Sequence, residues 1–134
     1  MKKQTFRFER TDEDSLIKVD FWFGSAKLTF VLDSGASHTV IDLTQILIAG
    51  FEIKDALGTI ELETGKGIIE AYIFKVPVLE AIGITRLNVE ICSYDFFSNH
   101  IFTEFDGVLG IDFLEKNKIC IDFPKSLVTV SSSN

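Results

Sequence analysis

The sequence predicts an all-β domain, a barrel or sandwich of many short strands with one short helix near the C-terminus. Three observations support this fold class. Short apolar, β-prone runs recur along the chain and alternate with turns of small or polar residues. The composition is 46% hydrophobic and includes 13 phenylalanines, which suits a well-filled core. Residues 111–117, IDFLEKN, form the best short helix, because Leu114 follows Ile111 on one face.

The first part of the chain contains strand-like runs followed by one helical turn. Each run combines β-prone residues with either an alternating pattern or a flanking turn. The turn Gly24-Ser25 is short enough to join two neighbouring runs as a tight hairpin. The predicted elements are a strand at residues 5–8, a hairpin of 16–23 and 27–32, and a short strand and helical turn within 40–50.

The second part adds more strands around an aromatic segment. Residues 59–63 and 67–74 predict a hairpin whose polar tip includes Thr64, Gly65 and Lys66. Residues 93–106 are irregular and rich in aromatic side chains, so this segment either covers the core or contacts something else. The other predicted elements are strands at 76–79 and 87–92, a terminal hairpin of 119–123 and 127–130, and a frayed tail at 131–134.

Length and charge restrict the class of protein. The 134 residues fit one domain, spanning 1–134. The formal net charge is −7 and no basic block interrupts the chain, so no nucleic acid is expected as a partner. The N-terminus lacks the apolar run of a signal peptide and no run is long enough to span a membrane, which predicts a cytoplasmic protein. Cys92 and Cys120 are then expected to be reduced, with a disulfide as the alternative.

The stretch FVLDSGASHTVID, residues 30–42, looks more like a functional site than any other. Its apolar start predicts a buried strand that delivers Asp33 into a turn. Ser34 offers a hydroxyl group, and Gly35 allows a backbone N–H to approach where a Cβ would obstruct it, so the turn supplies partners for the carboxylate. An ordinary turn between two strands is the alternative interpretation.

Most other chemistries are disfavoured by the residues available. The only histidines, His38 and His100, lack neighbours at zinc-ligand spacing. No G-x-S-x-G motif occurs, the cysteines fall in strand-like runs, and no phosphate-binding loop has the required spacing. Carboxylate chemistry remains, in which one acid holds a proton while an ionised neighbour activates water. It needs a second carboxylate, and Asp106-Gly107 lacks the serine and is interpreted as a turn.

FVLDSGASHTVID followed by GVLGIDFLEKN at residues 107–117 resembles the retropepsin-like aspartic proteases. In that family an apolar run precedes Asp-Ser/Thr-Gly-Ala, and a later apolar-apolar-Gly element leads into a short helix. The resemblance covers about residues 16–130 in the family's order. It implies a retropepsin-like closed β-barrel with one short C-terminal helix and a flap hairpin, for which residues 60–73 occupy the expected place.

The resemblance also implies a role for each motif residue. Retropepsins carry one such motif per chain, so the site would be built in a homodimer with Asp33 of each protomer facing its counterpart. The implied function is aspartic endopeptidase activity on an extended polypeptide substrate, without metal or organic cofactor. The implied catalytic residues are Asp33, Ser34 and Gly35, and the implied substrate-binding residues are Ala36, Ser37 and His38 with Thr64, Gly65, Lys66 and Gly67 of the flap.

Some features depart from the family pattern and leave alternatives open. Ile111 stands where retroviral enzymes commonly have arginine, so the network that braces the dimer is expected to differ. The aromatic segment 93–106 is longer than the retroviral connection and either roofs the barrel or shapes access and dimerisation. Two other functions remain open: a catalytically inactive peptide-binding or dimerisation module on the same fold, and a monomeric β-barrel that binds a small ligand.

Overall fold

The computed structural model describes residues 2–10, 16–64, 67–96 and 104–132. These ranges contain ten strands, two short α-helices and one 3-10 turn at Ile53–Asp55. The strands are β1 (Lys3–Arg7), β2 (Lys18–Phe23), β3 (Ala26–Leu32), β4 (Val40–Asp42), β5 (Gly58–Thr64), β6 (Gly67–Ala81), β7 (Ile84–Tyr94), β8 (Gly107–Leu109), β9 (Asn117–Asp122) and β10 (Leu127–Ser132). The helices are α1 (Leu43–Ile48) and α2 (Ile111–Leu114).

Six strands of the described chain close into a barrel in the order β2-β3-β8-β4-β7-β6. The ring closes because β6 also pairs antiparallel with β2. Two pairs in the ring are parallel, β3 with β8 and β4 with β7. The predicted all-β, closed-barrel fold class is therefore confirmed.

The barrel core combines phenylalanine rings with a larger number of aliphatic side chains. In β2, Val19, Phe21 and Phe23 are buried while the residues between them are exposed, as expected for a strand with one face toward the core. The rings of Phe21 and Phe30 stack with their centroids 3.7 Å apart. Phe30 lies in β3 three residues before Asp33, so tight packing of its ring fixes the part of the strand that leads to Asp33.

The flap hairpin and the barrel share one long strand, β6. Its first half pairs with β5 as far as Thr64 opposite Gly67, which confirms the predicted hairpin. Its second half pairs with β7 and β2 and closes the barrel. The predicted break after residue 74 is wrong. The strand is continuous because Lys75, which separates the two predicted runs, pairs with Glu90 of β7.

A smaller sheet, in the order β1-β10-β9, packs against the core through Val128 and Val130. The predicted frayed tail is wrong for Ser131 and Ser132, which belong to β10. Ser131 is buried and lies opposite Lys3 of β1, so pairing with the N-terminal strand orders this end. Residues 133–134 lie outside the described residues.

The two helices are short. α1 lies where a helical turn was predicted, so the described chain has a helix in addition to the one near the C-terminus. α2 is shorter than the predicted 111–117, because Lys116 adopts a left-handed φ of 75° and β9 begins at Asn117. No helix in the described ranges has the length and apolar composition needed to cross a membrane.

The two cysteines are free thiols in different environments. Cys92 is buried and Cys120 is exposed. Burial raises the pKa of the Cys92 thiol to about 11, and the nearby carboxylates of Asp112 and Glu90 act in the same direction. Because the neutral form is favoured, Cys92 is expected to be a poor nucleophile at neutral pH.

Alkylation of the folded protein with iodoacetamide is expected to modify Cys120 and spare Cys92. With its pKa raised from 9.0 to about 11, the Cys92 thiolate is roughly a hundredfold scarcer than an unperturbed thiolate below pH 9. Peptide mass spectrometry after a short reaction at about pH 8 measures both sites. The same reaction in denaturant is the control, in which both cysteines should react. Equal labelling of both residues in the folded protein would contradict the prediction.

Candidate active site

Asp33 lies where β3 ends against the parallel strand β8. The two strands pair from Phe30 opposite Gly107 to Leu32 opposite Leu109. The Asp33 N–H continues this pairing by donating to the Leu109 carbonyl oxygen at 3.0 Å. The backbone of Asp33 is therefore held by the sheet, while its side chain is exposed.

The turn after Asp33 orients its carboxylate. The Gly35 N–H donates to Asp33 Oδ1 at 2.8 Å, and the Ala36 N–H donates to the Asp33 carbonyl oxygen at 3.1 Å. A Cβ atom at Gly35 would lie only 3.1 Å from Asp33 Oδ1, closer than most Cβ contacts. Glycine thus allows the approach that fixes the orientation of the carboxylate, as the sequence predicted.

A cavity of about 330 Å³ lies between the Asp33 turn and the flap. The structure brings to it most of the residues that the sequence singled out: Asp33, Gly35, Ala36, Ser37, His38 and Thr64. Gly67 is described but does not line this cavity, and Gly65 and Lys66 lie outside the described residues. The predicted turn residues and one end of the flap therefore share a single space.

The walls of this cavity also include residues that sequence reasoning missed. They are mostly apolar and come from the flap, β4, β8 and the aromatic segment: Val40, Leu62, Glu63, Ile69, Phe96 and Val108. In the flap, Leu62 and Ile69 pair opposite each other, so period-two alternation along the hairpin is a signal that would have found them. No sequence pattern distinguishes Phe96 from the other rings of its segment.

Phe96 is held in place by its neighbours. Its N–H lies 3.1 Å from the Tyr94 carbonyl oxygen and 3.3 Å from Asp42 Oδ1. Its ring packs edge-on against the ring of Tyr94, with the centroids 5.7 Å apart. The start of the aromatic segment therefore shapes the cavity beside Asp33. Residues 97–103 of that segment lie outside the described residues.

Ser34 does not line the cavity under the flap. With Asp33 it lines a second cavity of about 610 Å³ on the side of α2 and β9. The other residues around this second cavity are Ile17, Leu32, Ile111, Leu114, Glu115, Asn117, Ile119, Ile121 and Phe123. Asp33 therefore lines two cavities. One lies beneath the flap, and we call the other, which Ser34 also lines, the outward-facing cavity.

The segment that begins α2 crosses directly over the Asp33 turn. The Ile111 N–H donates to the Ala36 carbonyl oxygen at 2.8 Å. A Cβ atom at Gly110 would lie 2.7 Å from the His38 backbone and 2.8 Å from the Ala36 carbonyl oxygen, so only glycine fits this crossing. The two motifs that are far apart in the sequence therefore meet in space.

Asp106, the aspartate that directly precedes Gly107, makes a structural hydrogen bond. Asp106 Oδ2 accepts the Thr29 N–H at 2.9 Å, and Asp106 lines neither cavity that contains Asp33. Asp106 therefore ties its loop to β3, in agreement with its interpretation as a turn residue. In the part of the chain that the structure describes, no three His, Cys, Asp or Glu residues cluster closely enough to hold a metal ion.

Comparisons with known proteins agree with this geometry. A family model described as aspartyl protease matches residues 18–113, more than half of the chain. The fold is similar to the crystal structure of a retropepsin-like aspartic protease from Rickettsia conorii, with a TM-score of 0.68 and 19% identity, over 96% of this chain and 91% of that one. No curated protein matches the chain at a significant level. The chain therefore belongs to the aspartyl protease family and has the retropepsin-like fold.

Proposed function

We propose that the protein is an aspartic endopeptidase that hydrolyses peptide bonds as a homodimer, with Asp33 of each protomer activating one shared water. The observation that carries this proposal is the position of Asp33. Its backbone is fixed by β8, its carboxylate is oriented by Gly35, and it lies at the floor of the cavity beneath the flap. An exposed, oriented carboxylate in a largely apolar cavity suits general acid–base chemistry.

The outward-facing cavity supports the homodimer. Beside Asp33 and Ser34 it carries large apolar side chains that remain exposed: Ile111 at 44%, Ile121 at 39% and Phe123 at 53%. Among the strands that the structure describes, β9 is also an edge strand of its sheet, and an edge strand can pair with another chain. A second copy placed about a two-fold axis here would cover this surface and bring the two Asp33 carboxylates together.

The flap supports a polypeptide substrate. An extended peptide between the flap and the Asp33 turn would offer its backbone for strand-like hydrogen bonds, while its side chains enter apolar cavities. Ala36, Ser37 and His38 line the cavity on the turn side, and Thr64 lines it on the flap side. His38 Nδ1 and Ser37 Oγ share a hydrogen bond of 2.8 Å, which orders the polar edge of this cavity.

The proposed mechanism needs one proton shared by two carboxylates, which is the expected state for two acids held close together. The ionised carboxylate takes a proton from water as the water oxygen attacks the carbonyl carbon. The protonated carboxyl group gives its proton to the carbonyl oxygen, which forms a tetrahedral diol. A hydroxyl group of the diol then gives its proton to the carboxylate that is now ionised. The carboxyl group that took the proton from water gives it to the amide nitrogen, and the C–N bond breaks.

Digestion of a peptide library between roughly pH 4 and 7 tests the proposal, because a pair of carboxylates that shares a proton should be active in this range. Wild type is compared with Asp33→Asn and with Asp20→Asn, a matched change at an exposed residue of β2. A dimer that cleaves nothing would favour the inactive peptide-binding module. A strict monomer would favour the small-ligand barrel. The cytoplasmic location remains a prediction.

Replacing Phe96 with alanine is expected to broaden the preferred side chain of the substrate. Phe96 forms one wall of the cavity beside Asp33, so its removal makes room for a larger group. We expect the ratio of kcat/KM for a tryptophan-containing peptide over its leucine counterpart to rise about tenfold or more.

The control for this change is Phe105→Ala, because Phe105 belongs to the same segment and does not line the cavity. Competitive digestion of the two peptides by each variant gives the ratio directly. A ratio in Phe96→Ala equal to that of wild type would show that Phe96 does not limit the size of the bound side chain.

A further inference from the structure

A link between Thr39 and Asp112 joins the Asp33 turn to α2. Asp112 Oδ1 accepts two hydrogen bonds from Thr39, from the N–H at 2.9 Å and from Oγ1 at 2.7 Å. Thr39 Oγ1 in turn accepts the Gly110 N–H at 3.0 Å. Thr39 is 3% exposed, so its hydroxyl group is a buried donor and acceptor with both functions satisfied. We call these contacts the Thr39–Asp112 link.

The link closes a loop of contacts around Asp33. On one side, the Asp33 N–H donates to the Leu109 carbonyl oxygen. On the other side, the turn from Asp33 to Ala36 is held by the bond from the Ile111 N–H to the Ala36 carbonyl oxygen at 2.8 Å. The Thr39–Asp112 link fixes the far end of the same turn. The backbone that carries Asp33 is thus attached to one short segment, residues 109–112, at both ends.

The same segment carries an apolar side chain of the outward-facing cavity. Ile111 lies between Gly110 and Asp112, and it lines that cavity with Asp33 and Ser34. The link therefore places the reactive carboxylate and a residue of the proposed dimer surface on one rigid unit. Ile111 stands where retroviral enzymes commonly have arginine, and the next residue, Asp112, makes hydrogen bonds within the protomer.

We infer that Asp112 is a positioning residue. It acts through Thr39 to hold the Asp33 carboxylate in place opposite the Asp33 carboxylate of the second protomer. This inference rests on the proposed function. Displacement of a reacting group by about 1 Å can lower a rate a hundredfold, so a brace of this kind affects the rate constant more than substrate binding.

The test compares variants that break or preserve the link. Asp112→Ala removes the acceptor and Thr39→Val removes the hydroxyl group, while Asp112→Asn keeps an acceptor oxygen and Thr39→Ser keeps the hydroxyl. We expect Asp112→Ala and Thr39→Val to lower kcat roughly 10- to 100-fold with KM changed less than about threefold. Asp112→Asn and Thr39→Ser should stay within about threefold of wild type in kcat.

Arg86→Met is the control for a merely structural role. Arg86 anchors the other end of α2 by donating to the Phe113 carbonyl oxygen at 2.8 Å and lying over the Phe113 ring. Its loss should lower the melting temperature while kcat stays near that of wild type. The width of the bell-shaped pH profile adds a second readout, because it reports the coupling between two carboxylates. The profile should narrow in Asp112→Ala and keep its width in Arg86→Met.

All variants are assayed at concentrations at which sedimentation shows a dimer. If Asp112→Ala does not fold, Thr39→Val carries the same test. If wild type is active and a dimeric Asp112→Ala or Thr39→Val is equally active, this inference is overturned while the proposed function stands. Asp112→Asn as impaired as Asp112→Ala would overturn it too, because the acceptor geometry would then not explain the loss. A dimeric wild type that cleaves no peptide would overturn the proposed function and this inference with it.

Discussion

Replacing Asp33 with asparagine is expected to lower kcat by roughly 10⁴-fold or more while leaving the protein folded and dimeric. Asparagine has nearly the same shape and its side-chain oxygen can still accept the Gly35 N–H, which lies 2.8 Å from Asp33 Oδ1. It can neither take a proton from water nor hold the shared one. Because Asp33 is exposed, the substitution leaves no buried group without a partner. Steady-state kinetics and sedimentation of the same samples measure the two outcomes.

A tethered dimer makes the test sharper. Two copies joined by a flexible linker allow Asp33→Asn to be placed in one copy only. If the single active site of the dimer needs both carboxylates, the half-substituted dimer should be as inactive as the dimer with both changes. Tethered wild type and a dimer with one Asp20→Asn copy are the controls. Half of the wild-type activity in the half-substituted dimer would mean that each protomer acts alone.

Introducing a charge into the outward-facing cavity is expected to weaken the dimer. Phe123→Glu and Ile111→Glu place a carboxylate among apolar side chains that the second copy would bury. We expect the dimer Kd to rise roughly 100-fold or more, equivalent to about 3 kcal/mol. Cleavage activity should fall at low protein concentration and recover as the concentration rises.

The matched control is Ile48→Glu, because Ile48 is 73% exposed on α1 and lines neither cavity that contains Asp33. Sedimentation across a range of concentrations compares the three variants with wild type. If the dimer Kd of Phe123→Glu and Ile111→Glu equals that of Ile48→Glu, the dimer surface lies elsewhere. The outward-facing cavity would then no longer support a site built from two carboxylates.

The strands and the Asp33 turn were predictable because their signals are local. β-prone runs separated by small residues mark β2, β3 and the terminal hairpin, and the order apolar run, Asp33, Ser34, Gly35 marks the turn. The break predicted after residue 74 was wrong for a reason that local rules miss. Lys75 separates the two predicted runs, and only its pairing with Glu90 of β7 shows that they form one strand.

The cavity walls were harder to predict because they depend on which segments meet. Phe96 is one of several rings in its segment, and only the bond from its N–H to Asp42 Oδ1 and its packing on Tyr94 place it beside Asp33. Asp112 reads in the sequence as an ordinary polar residue in the first turn of a helix. Its contact with the Asp33 turn appears only in the structure, where Thr39, 73 residues earlier in the chain, lies within hydrogen-bonding distance.

The sequence by itself determined the fold class and the Asp33 turn, because strand propensity and turn chemistry are properties of short segments. Only the tertiary structure decided how β6 serves both flap and barrel, which apolar side chains surround Asp33, and how Asp112 holds its turn. These features arise where segments distant in the chain come within a few ångströms, and the free energy of such contacts depends on distance and burial, which no single segment specifies.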